Sequence, residues 1–269
     1  MNNINILYIG DIVGRPGRKI LKEKLPILKK QYLLDFVFCN GENAAGGLGI
    51  TAAIAGELLN SGVDGITLGN HIWSQKLWLQ QAVHIKQVCR PLNAPNTWPG
   101  FDHVYLKKDN CDVLLISLMG QAFIKPVLAN PFQVIDQMLP IFREKYHTKN
   151  IIIDFHAEST AEKITMGYFL ENRVLAVLGT HTHVQTADEK ILGNGTAFIT
   201  DIGMTGPVNG VLGMSRKIAV ERAVNLLPAM YNIEEDSFVT LNAILMAVDP
   251  IAGQTKKIER IQIFDHVYK

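Results

Sequence analysis

The chain has 269 residues, of which 48% are hydrophobic and 19% are charged, and its formal net charge is +1. This composition excludes a disordered segment, and the near-zero charge gives no general argument for DNA or a membrane surface as the partner. No apolar stretch reaches the roughly 18 to 20 residues that span a bilayer. Cys39, Cys89 and Cys111 form no C-x-x-C pair, and the N-terminus lacks the basic start of a signal peptide. We therefore expect a cytoplasmic protein in a reducing compartment.

Short apolar runs alternate with helix-like segments along the first part of the chain. The predicted elements are strand 5–10, helix 15–31, strand 35–40, helix 51–62 and strand 64–70. Pro16 suits the first turn of its helix, whereas Pro26 predicts a kink or an end. Thr51 is the expected N-cap of the next helix, and Gly62 is its expected stop.

The rest of the chain is richer in strands. Residues 72–111 are predicted to be irregular, with one helix near 74–82. The other predicted elements are strand 113–120, helix 132–146, strand 150–156, strand 173–181, strand 196–201, helix 215–226, strand 238–249 and strand 257–265. The βαβαβ order followed by β-rich segments predicts an α/β fold whose layers surround two sheets. The sequence has no repeats or low-complexity linkers, so we expect one domain over residues 1–269.

Polar residues gather where the predicted strands end. The clusters are GD at 10–11, NGEN at 40–43, GNH at 69–71, DFHAE at 154–158, GTHTH at 179–183 and TDIG at 200–203. Sites in open α/β sheets form at the carboxyl ends of strands, so these clusters are candidates for one shared site. Each cluster has an ordinary interpretation alone: an Asp caps a turn, a lone His packs in the core, and one H-x-H arises by chance roughly 0.24 times in such a chain. The argument therefore depends on the joint pattern.

In chain order, these clusters resemble the motifs of the calcineurin-like metallophosphoesterase superfamily, which are D-x-H, G-D, G-N-H, H and G-H-x-H. This chain departs from the pattern twice, because Val13 stands where the first His is usual and Glu42 where the second Asp is usual. The segments NGENAAGG, LGNHIW, FHAEST and GTHTHVQTAD closely resemble the YmdB-like family. The resemblance covers essentially the whole chain, and it implies a layered α/β/β/α sandwich of two mixed sheets flanked by helices.

The resemblance also implies a centre of two metal ions. By the family pattern, Glu42 bridges the two ions, the first ion takes Asp11, Asn43 and His183, and the second takes Asn70, His156 and His181. Asn43 would offer a carbonyl oxygen where the missing imidazole binds. Oxygen and imidazole ligands suit iron, manganese or zinc. The resemblance favours iron, and the residues themselves do not choose.

The histidine pair and its surroundings set two further expectations. His181 and His183 would point to opposite faces of a regular strand, so they serve adjacent ions only where the strand opens into a loop, as Gly179 permits. His71, which follows Asn70, is the proton donor that the resemblance implies. Two divalent ions with two carboxylates and a hydroxide leave a charge of about +1, which suits a phosphodiester anion.

The implied activity is the hydrolysis of 2′,3′-cyclic nucleotides to nucleoside 3′-phosphates, with other phosphodiesters as further substrates. Two alternatives remain open: a phosphomonoesterase on the same scaffold, and a regulatory protein that binds nucleotides or RNA ends and turns over slowly. The expected partner is thus a small cyclic nucleotide or an RNA-end phosphodiester, without DNA or membrane, and a homo-oligomer stays open.

Several other residues have weaker interpretations. The Gly-rich segment 44–49 either holds phosphate or a ribose edge through backbone N–H groups or simply makes a tight loop. Arg15 and Arg18 either help to bind that ligand or are solvated charges at the start of a helix. Residues 204–207 are predicted to form a loop that borders the site. Surface or packing positions are expected for His84, His103, His147 and His266, and core positions for Trp73 and Trp78.

Overall fold

The computed structural model describes residues 3–108, 111–230 and 232–267. Within these ranges the chain forms fourteen strands and six α-helices. The strands are β1 (Ile4–Ile9), β2 (Asp11–Ile12), β3 (Phe36–Asn40), β4 (Gly65–Thr67), β5 (Val88–Cys89), β6 (Val104–Lys108), β7 (Cys111–Met119), β8 (Ile151–His156), β9 (Ala176–Thr180), β10 (Lys190–Leu192), β11 (Thr196–Ile199), β12 (Met204–Pro207), β13 (Phe238–Asp249) and β14 (Gln254–His266). The helices are α1 (Gly14–Tyr32), α2 (Ala52–Asn60), α3 (Trp78–Gln81), α4 (Pro131–Tyr146), α5 (Thr160–Phe169) and α6 (Arg216–Asn225).

The strands form two mixed sheets. The first has the order β2-β12-β13-β1-β3-β4-β5, with β14 paired to β13, and the second has the order β10-β11-β9-β8-β7-β6. Strands β1, β3, β4 and β5 are parallel, as are β11, β9, β8 and β7, whereas β13 is antiparallel to β1. Parallel neighbours need a crossover connection, which α1, α2, α4 and α5 supply.

The two sheets pack face to face through apolar side chains. One buried cluster contains Ile6 and Phe38 from the first sheet together with Leu115 and Ile152 from the second. A second cluster joins the first sheet to α1 and α2, and a third joins the second sheet to α4 and α5. Full burial of one large aliphatic side chain contributes roughly 1.5–3 kcal/mol, so these clusters dominate the packing energy. The predicted α/β/β/α sandwich is confirmed.

The first long helix differs from its prediction at Pro26. Helix α1 continues through Pro26 and ends at Tyr32. Proline removes one backbone donor from the helix, but Leu21, Leu25 and Leu28 are buried on both sides of it. Their packing against the first sheet keeps the helix continuous, so of the two predicted effects of Pro26, a kink or an end, the end does not occur.

The predicted signals around α2 are confirmed. The side chain of Thr51 accepts a hydrogen bond of 3.3 Å from the backbone N–H of Ile54, as an N-cap does. Helix α2 ends at Asn60, and Gly62 then adopts a φ of +105°, a conformation that glycine reaches without strain.

Several elements of the structure were not predicted, among them α5, β10 and β12. Helix α5 begins after Ser159, whose hydroxyl accepts a hydrogen bond of 3.3 Å from the N–H of Glu162. Residues 204–207, expected to be a loop, form β12, which pairs with β2 on one side and with β13 on the other. Strands β5 and β6 likewise lie in the stretch that was expected to be irregular.

The arrangement of the sheets decides where a site can form. The carboxyl ends of the parallel strands β1, β3 and β4 in the first sheet lie near those of β8 and β9 in the second, as contacts between residues at or just after these strand ends show. No helix among the described residues has the length and apolar character that crossing a bilayer requires.

Candidate metal centre

One set of contacts joins residues that follow β1, β3 and β9. His183 Nε2 lies 3.1 Å from Asn43 Nδ2 and 3.8 Å from Asp11 Oδ1. Asp11 is fully buried at the start of β2. Glu42 reaches this group because its Oε1 accepts a hydrogen bond of 3.2 Å from Asn43 Nδ2.

A second set of contacts surrounds His156, the buried last residue of β8. Its Nε2 lies 2.9 Å from Asn70 Oδ1, 3.1 Å from His181 Nδ1 and 3.0 Å from Glu42 Oε1. Glu42 therefore contacts members of both sets. The structure thus brings together all seven residues that the sequence predicts as metal ligands.

His71 lies beside the second set. Its backbone N–H donates to Glu42 Oε2 over 3.2 Å, and its Nε2 is 3.4 Å from Asn70 Nδ2. The ring is only partly buried, so it remains accessible beside the cluster.

The segment of residues 181–183, here called the histidine loop, follows directly after β9. His181 and His183 have φ values of +95° and +66°, which costs a non-glycine residue about 1–3 kcal/mol each. The backbone N–H of His181 lies 3.4 Å from Asp11 Oδ2, and His183 Nδ1 lies 3.1 Å from the carbonyl oxygen of Leu212. This open backbone lets both imidazoles face the same centre.

Gly179 has a different role from the one expected. It lies inside β9, before the chain opens. A Cβ atom at Gly179 would come within 1.8 Å of the carbonyl oxygen of Thr200, so glycine is needed for close strand packing. The opening comes from the histidine loop itself.

Gly69 is also required by close packing. A Cβ at this position would lie 2.2 Å from His156 Cδ2 and 2.5 Å from Glu42 Oε2. The backbone of residue 69 therefore forms a wall of the centre, and any side chain there would displace two of the predicted ligands.

A buried hydrogen-bond network around Asp154 was not recognised in the sequence. Asp154 Oδ2 accepts from Tyr8 Oη at 2.9 Å and from Asn40 Nδ2 at 3.0 Å, and Thr67 Oγ1 also donates to it. Thr180 Oγ1 donates to Asp154 Oδ1 and lies 2.9 Å from His156 Nδ1. The network thus holds the His156 ring at Nδ1, the ring nitrogen that does not face Asn70. The sequence did contain a hint of this network, because Asp154 lies only two residues before His156.

Glu158 is a second missed residue. Its Oε2 lies 3.1 Å from His181 Nε2, while His181 Nδ1 faces His156. A carboxylate on one ring nitrogen fixes the tautomer, which leaves the other nitrogen free to bind a metal. Both missed acids belong to the DFHAE cluster, in which only the histidine was selected.

The electrostatics of the centre follow from burial and close pairing. Burial opposes the charged form of Glu42, yet the charge and hydrogen bond of His156 lower the Glu42 pKa to about 2. Burial likewise opposes charge on His156, but Glu42 raises the His156 pKa to about 9. Burial raises the pKa of Asp11 well above its ordinary range.

The other two imidazoles are held neutral. Burial and the charge on His156 lower the pKa of His181 to about 3, and burial lowers the pKa of His183. Neutral imidazole is the form that binds metals, so both rings are ready to act as ligands at ordinary pH.

The donor set fits metal ions better than it fits protons. Asp11 Oδ1 is buried without a hydrogen-bond partner, an arrangement that is costly unless a cation compensates it. A single proton on His156 Nε2 cannot form a hydrogen bond to all three atoms around it, which are Asn70 Oδ1, His181 Nδ1 and Glu42 Oε1. A cation can be bound by all of them. Ligand atoms of Glu42, His156 and His181 lie within 4.8 Å of one another, close enough to share an ion. Carboxylate, amide and imidazole donors suit iron, manganese or zinc.

The remaining sequence expectations have mixed outcomes. Arg18 donates to Glu57 and to the carbonyl oxygen of Ala44, so its charge is already paired. A cavity of about 840 Å³ lies between the start of α1 and residues 232–237, and no predicted metal residue lines it.

Trp78 is buried in the core as expected. His84, His147 and His266 are exposed, and His103 is bonded to Asp102 and Tyr146.

Solved structures place this architecture in a known class. A structure from Mycoplasma pneumoniae, described as a novel phosphatase, matches with a TM-score of 0.92 at 32% identity and covers 99% of this chain and 95% of that one. A hypothetical protein from Thermus thermophilus matches with a TM-score of 0.89 at 32% identity, covering 97% and 100% of the two chains. The fold is that of a metallophosphoesterase.

The family follows from the sequence comparison. A family model described as YmdB-like protein matches residues 7–261. A relative from Bacillus subtilis strain 168, named 2′,3′-cyclic-nucleotide 2′-phosphodiesterase, is 43% identical over 262 residues, which is 97% of this chain and 98% of the relative. The chain belongs to the YmdB-like family.

Proposed function

We propose that this protein is a metal-dependent phosphodiesterase that opens 2′,3′-cyclic nucleotides to nucleoside 3′-phosphates. The relative named for this activity is 43% identical over nearly the full length of both chains. We also propose that the chain acts as one domain, since β1 near its start and β13 near its end pair in the same sheet.

One observation carries the proposal: among the described residues, the candidate ligands form two sets of side-chain contacts, and Glu42 is the side chain that contacts members of both. His183 contacts Asn43 and lies near Asp11, whereas His156 contacts Asn70 and His181. Glu42 contacts both Asn43 and His156. Two ions with one bridging carboxylate would require this division.

Each set would hold one ion, with Glu42 shared. When bound, two such ions supply Lewis acidity, which activates water and stabilises charge on phosphate oxygens. Asn43 turns its amide nitrogen toward His183 in the structure. A half-turn of the amide would present its oxygen instead, since the two ends of an amide differ little in shape. The choice of iron, manganese or zinc is part of the proposal, as is a cytoplasmic location.

The chain's own residues have three tasks in this reaction. Glu42 keeps its negative charge because His156 lowers its pKa, so it balances part of the cationic charge. His71 donates a proton to the departing ribose O2′, a poor leaving group that needs one. Asn70, whose Nδ2 lies 3.4 Å from His71 Nε2, keeps the His71 ring beside the second contact set.

A phosphomonoesterase is the second candidate. The neighbour from Mycoplasma pneumoniae is described as a phosphatase, and its TM-score to this chain is 0.92. A monoesterase would remove the 3′-phosphate that the proposed reaction leaves in place.

A substrate panel separates the two. Purified protein loaded with Mn²⁺ would be incubated with 2′,3′-cyclic AMP, 3′-AMP and 5′-AMP, and the products separated by chromatography. We expect 3′-AMP from the cyclic substrate and no adenosine from any of the three. Release of adenosine from 3′-AMP or 5′-AMP at a comparable rate would favour the monoesterase. Formation of 2′-AMP would contradict the proposed bond cleavage, and protein treated with a chelator is the matched control.

A further inference from the structure

A lysine is buried beside the centre without belonging to it. Lys163 on α5 is 1% exposed, and its Nζ lies 2.7 Å from Oδ2 of Asp201, which is fully buried. Lysine is almost never fully buried unless it is paired. Neither residue is a predicted ligand or takes part in the proposed reaction, so the ion pair needs another explanation.

Asp201 connects the lysine to the histidine loop. Its Oδ2 accepts from the backbone N–H of Thr182 at 3.0 Å and from the Thr182 hydroxyl at 2.7 Å. Thr182 is the residue between the two loop histidines. Three donors, including Lys163 Nζ, therefore converge on one carboxylate oxygen.

The other oxygen of Asp201 connects to the end of β1. Asp201 Oδ1 accepts a hydrogen bond of 2.7 Å from the N–H of Gly203. The carbonyl oxygen of Gly203 in turn accepts from the N–H of Asp11 at 3.1 Å. One buried carboxylate thus fixes backbone next to three of the predicted ligands.

The histidine loop needs such support. Both of its histidines have positive φ, and residues in this conformation persist only where their surroundings hold them. Metal ligands must be held within about 0.5 Å of their working positions, which a free loop would not achieve.

Lys163 makes this support possible. A buried carboxylate is costly without an opposite charge, and a charged oxygen makes stronger hydrogen bonds than a neutral one. The stem of Lys163 also packs against β9, because a Cβ at Gly179 would lie 3.1 Å from Lys163 Cδ. The lysine is thus fixed to the strand that leads into the loop.

We infer that the buried Lys163–Asp201 pair positions the histidine loop for metal binding. The inference rests on the proposed function, because it takes the loop histidines as metal ligands. Lys163 acts through Asp201 and Thr182, and at 1% exposure it touches no substrate. It is therefore a positioning residue, and metal affinity is the property that should reveal it.

The test measures Mn²⁺ binding to chelator-treated protein by calorimetry. Lys163→Met keeps the length of the side chain and removes the charge, and Thr182→Val removes only the hydroxyl that donates to Asp201. The control is Thr196→Val, which removes a buried hydroxyl that donates 2.7 Å to the carbonyl oxygen of Val174, at the far end of the strand that leads to Asp201.

We expect Lys163→Met to weaken Mn²⁺ binding about 10- to 100-fold, the usual effect of losing a group that orients a ligand. Thr182→Val should weaken it by a smaller factor, and Thr196→Val should lower the melting temperature without changing the affinity. If Lys163→Met does not fold, Thr182→Val decides, since weaker binding supports the inference and unchanged binding overturns it.

Two negative results have different meanings. Wild-type binding of Mn²⁺ together with unchanged binding by Lys163→Met would overturn the positioning role and leave the proposed function intact. A wild-type protein that binds no Mn²⁺ would overturn the metal centre and the inference with it.

Discussion

Replacing Gly69 with alanine tests the packing of the centre directly. The new Cβ would lie 2.2 Å from His156 Cδ2, which is 1.2 Å short of the 3.4 Å at which ordinary contact begins, and 2.5 Å from Glu42 Oε2. His156 and Glu42 are both fully buried, so neither can move into solvent. Both must shift, by about 1 Å, and a misplacement of that size costs about 10²-fold in rate.

The assay is hydrolysis of 2′,3′-cyclic AMP by Gly69→Ala at saturating Mn²⁺, with metal content measured on the same sample. Overpacking should also cost about 1–3 kcal/mol of unfolding free energy. The matched control is Gly56→Ala in α2, where an added Cβ meets nothing within 4 Å and should stabilise the helix by about 0.4–1 kcal/mol. Wild-type turnover with full metal content in Gly69→Ala would show that residue 69 does not form the wall described here.

Three further predictions concern the centre. Glu42→Gln should reduce metal content and turnover more than any change at a ligand of one ion, as metal analysis and kinetics on a variant series would show; two tightly held ions with normal turnover would contradict the bridge. His71→Ala should keep both ions but slow cyclic-nucleotide hydrolysis about 10²–10⁴-fold, with a smaller loss for nitrophenyl esters, whose leaving group needs little proton help; equal losses on both substrates would indicate phosphate positioning instead. In chelator-treated protein, the Glu42 contribution to stability is lost as pH falls from about 4.3 toward 2, and the His156 contribution is lost as pH rises from about 6.5 through 9, because the Glu42 pKa is lowered and the His156 pKa is raised. The melting-temperature difference between wild type and Glu42→Gln should therefore be largest between about pH 4.3 and pH 6.5, and a difference that does not vary with pH would refute the pairing.

The sequence predicts the α/β layers because the strands and helices alternate in a plain apolar pattern, and the candidate site residues were recognised by their resemblance to family motifs. Strand 238–249 was predicted with the bounds that the structure has, since its apolar pattern and length are plain. The candidate ligands were taken from the family resemblance, and the structure brings them together because they lie at the carboxyl ends of parallel strands, which meet at one edge.

The support behind the ligands was harder to predict. Helix α5 was missed, although Ser159 and Glu162 have the spacing of a capping box. Without that helix, Lys163 has no reason to lie near Asp201, so the ion pair between them could not be anticipated. Pairings of this kind join residues far apart in sequence, and no local pattern records them.

The network around Asp154 determines how the two sheets of the chain dock on each other. Apolar faces of two sheets attract each other but do not fix one relative position, because the hydrophobic effect has no direction. Asp154 belongs to the second sheet and accepts hydrogen bonds from Tyr8, Asn40 and Thr67 of the first, so it stops the two sheets from sliding past each other. The candidate ligands also come from both sheets, which makes the centre a property of the docked pair. Either sheet alone would hold only part of the candidate ligand set, so tight metal binding at this centre would require both sheets to be docked.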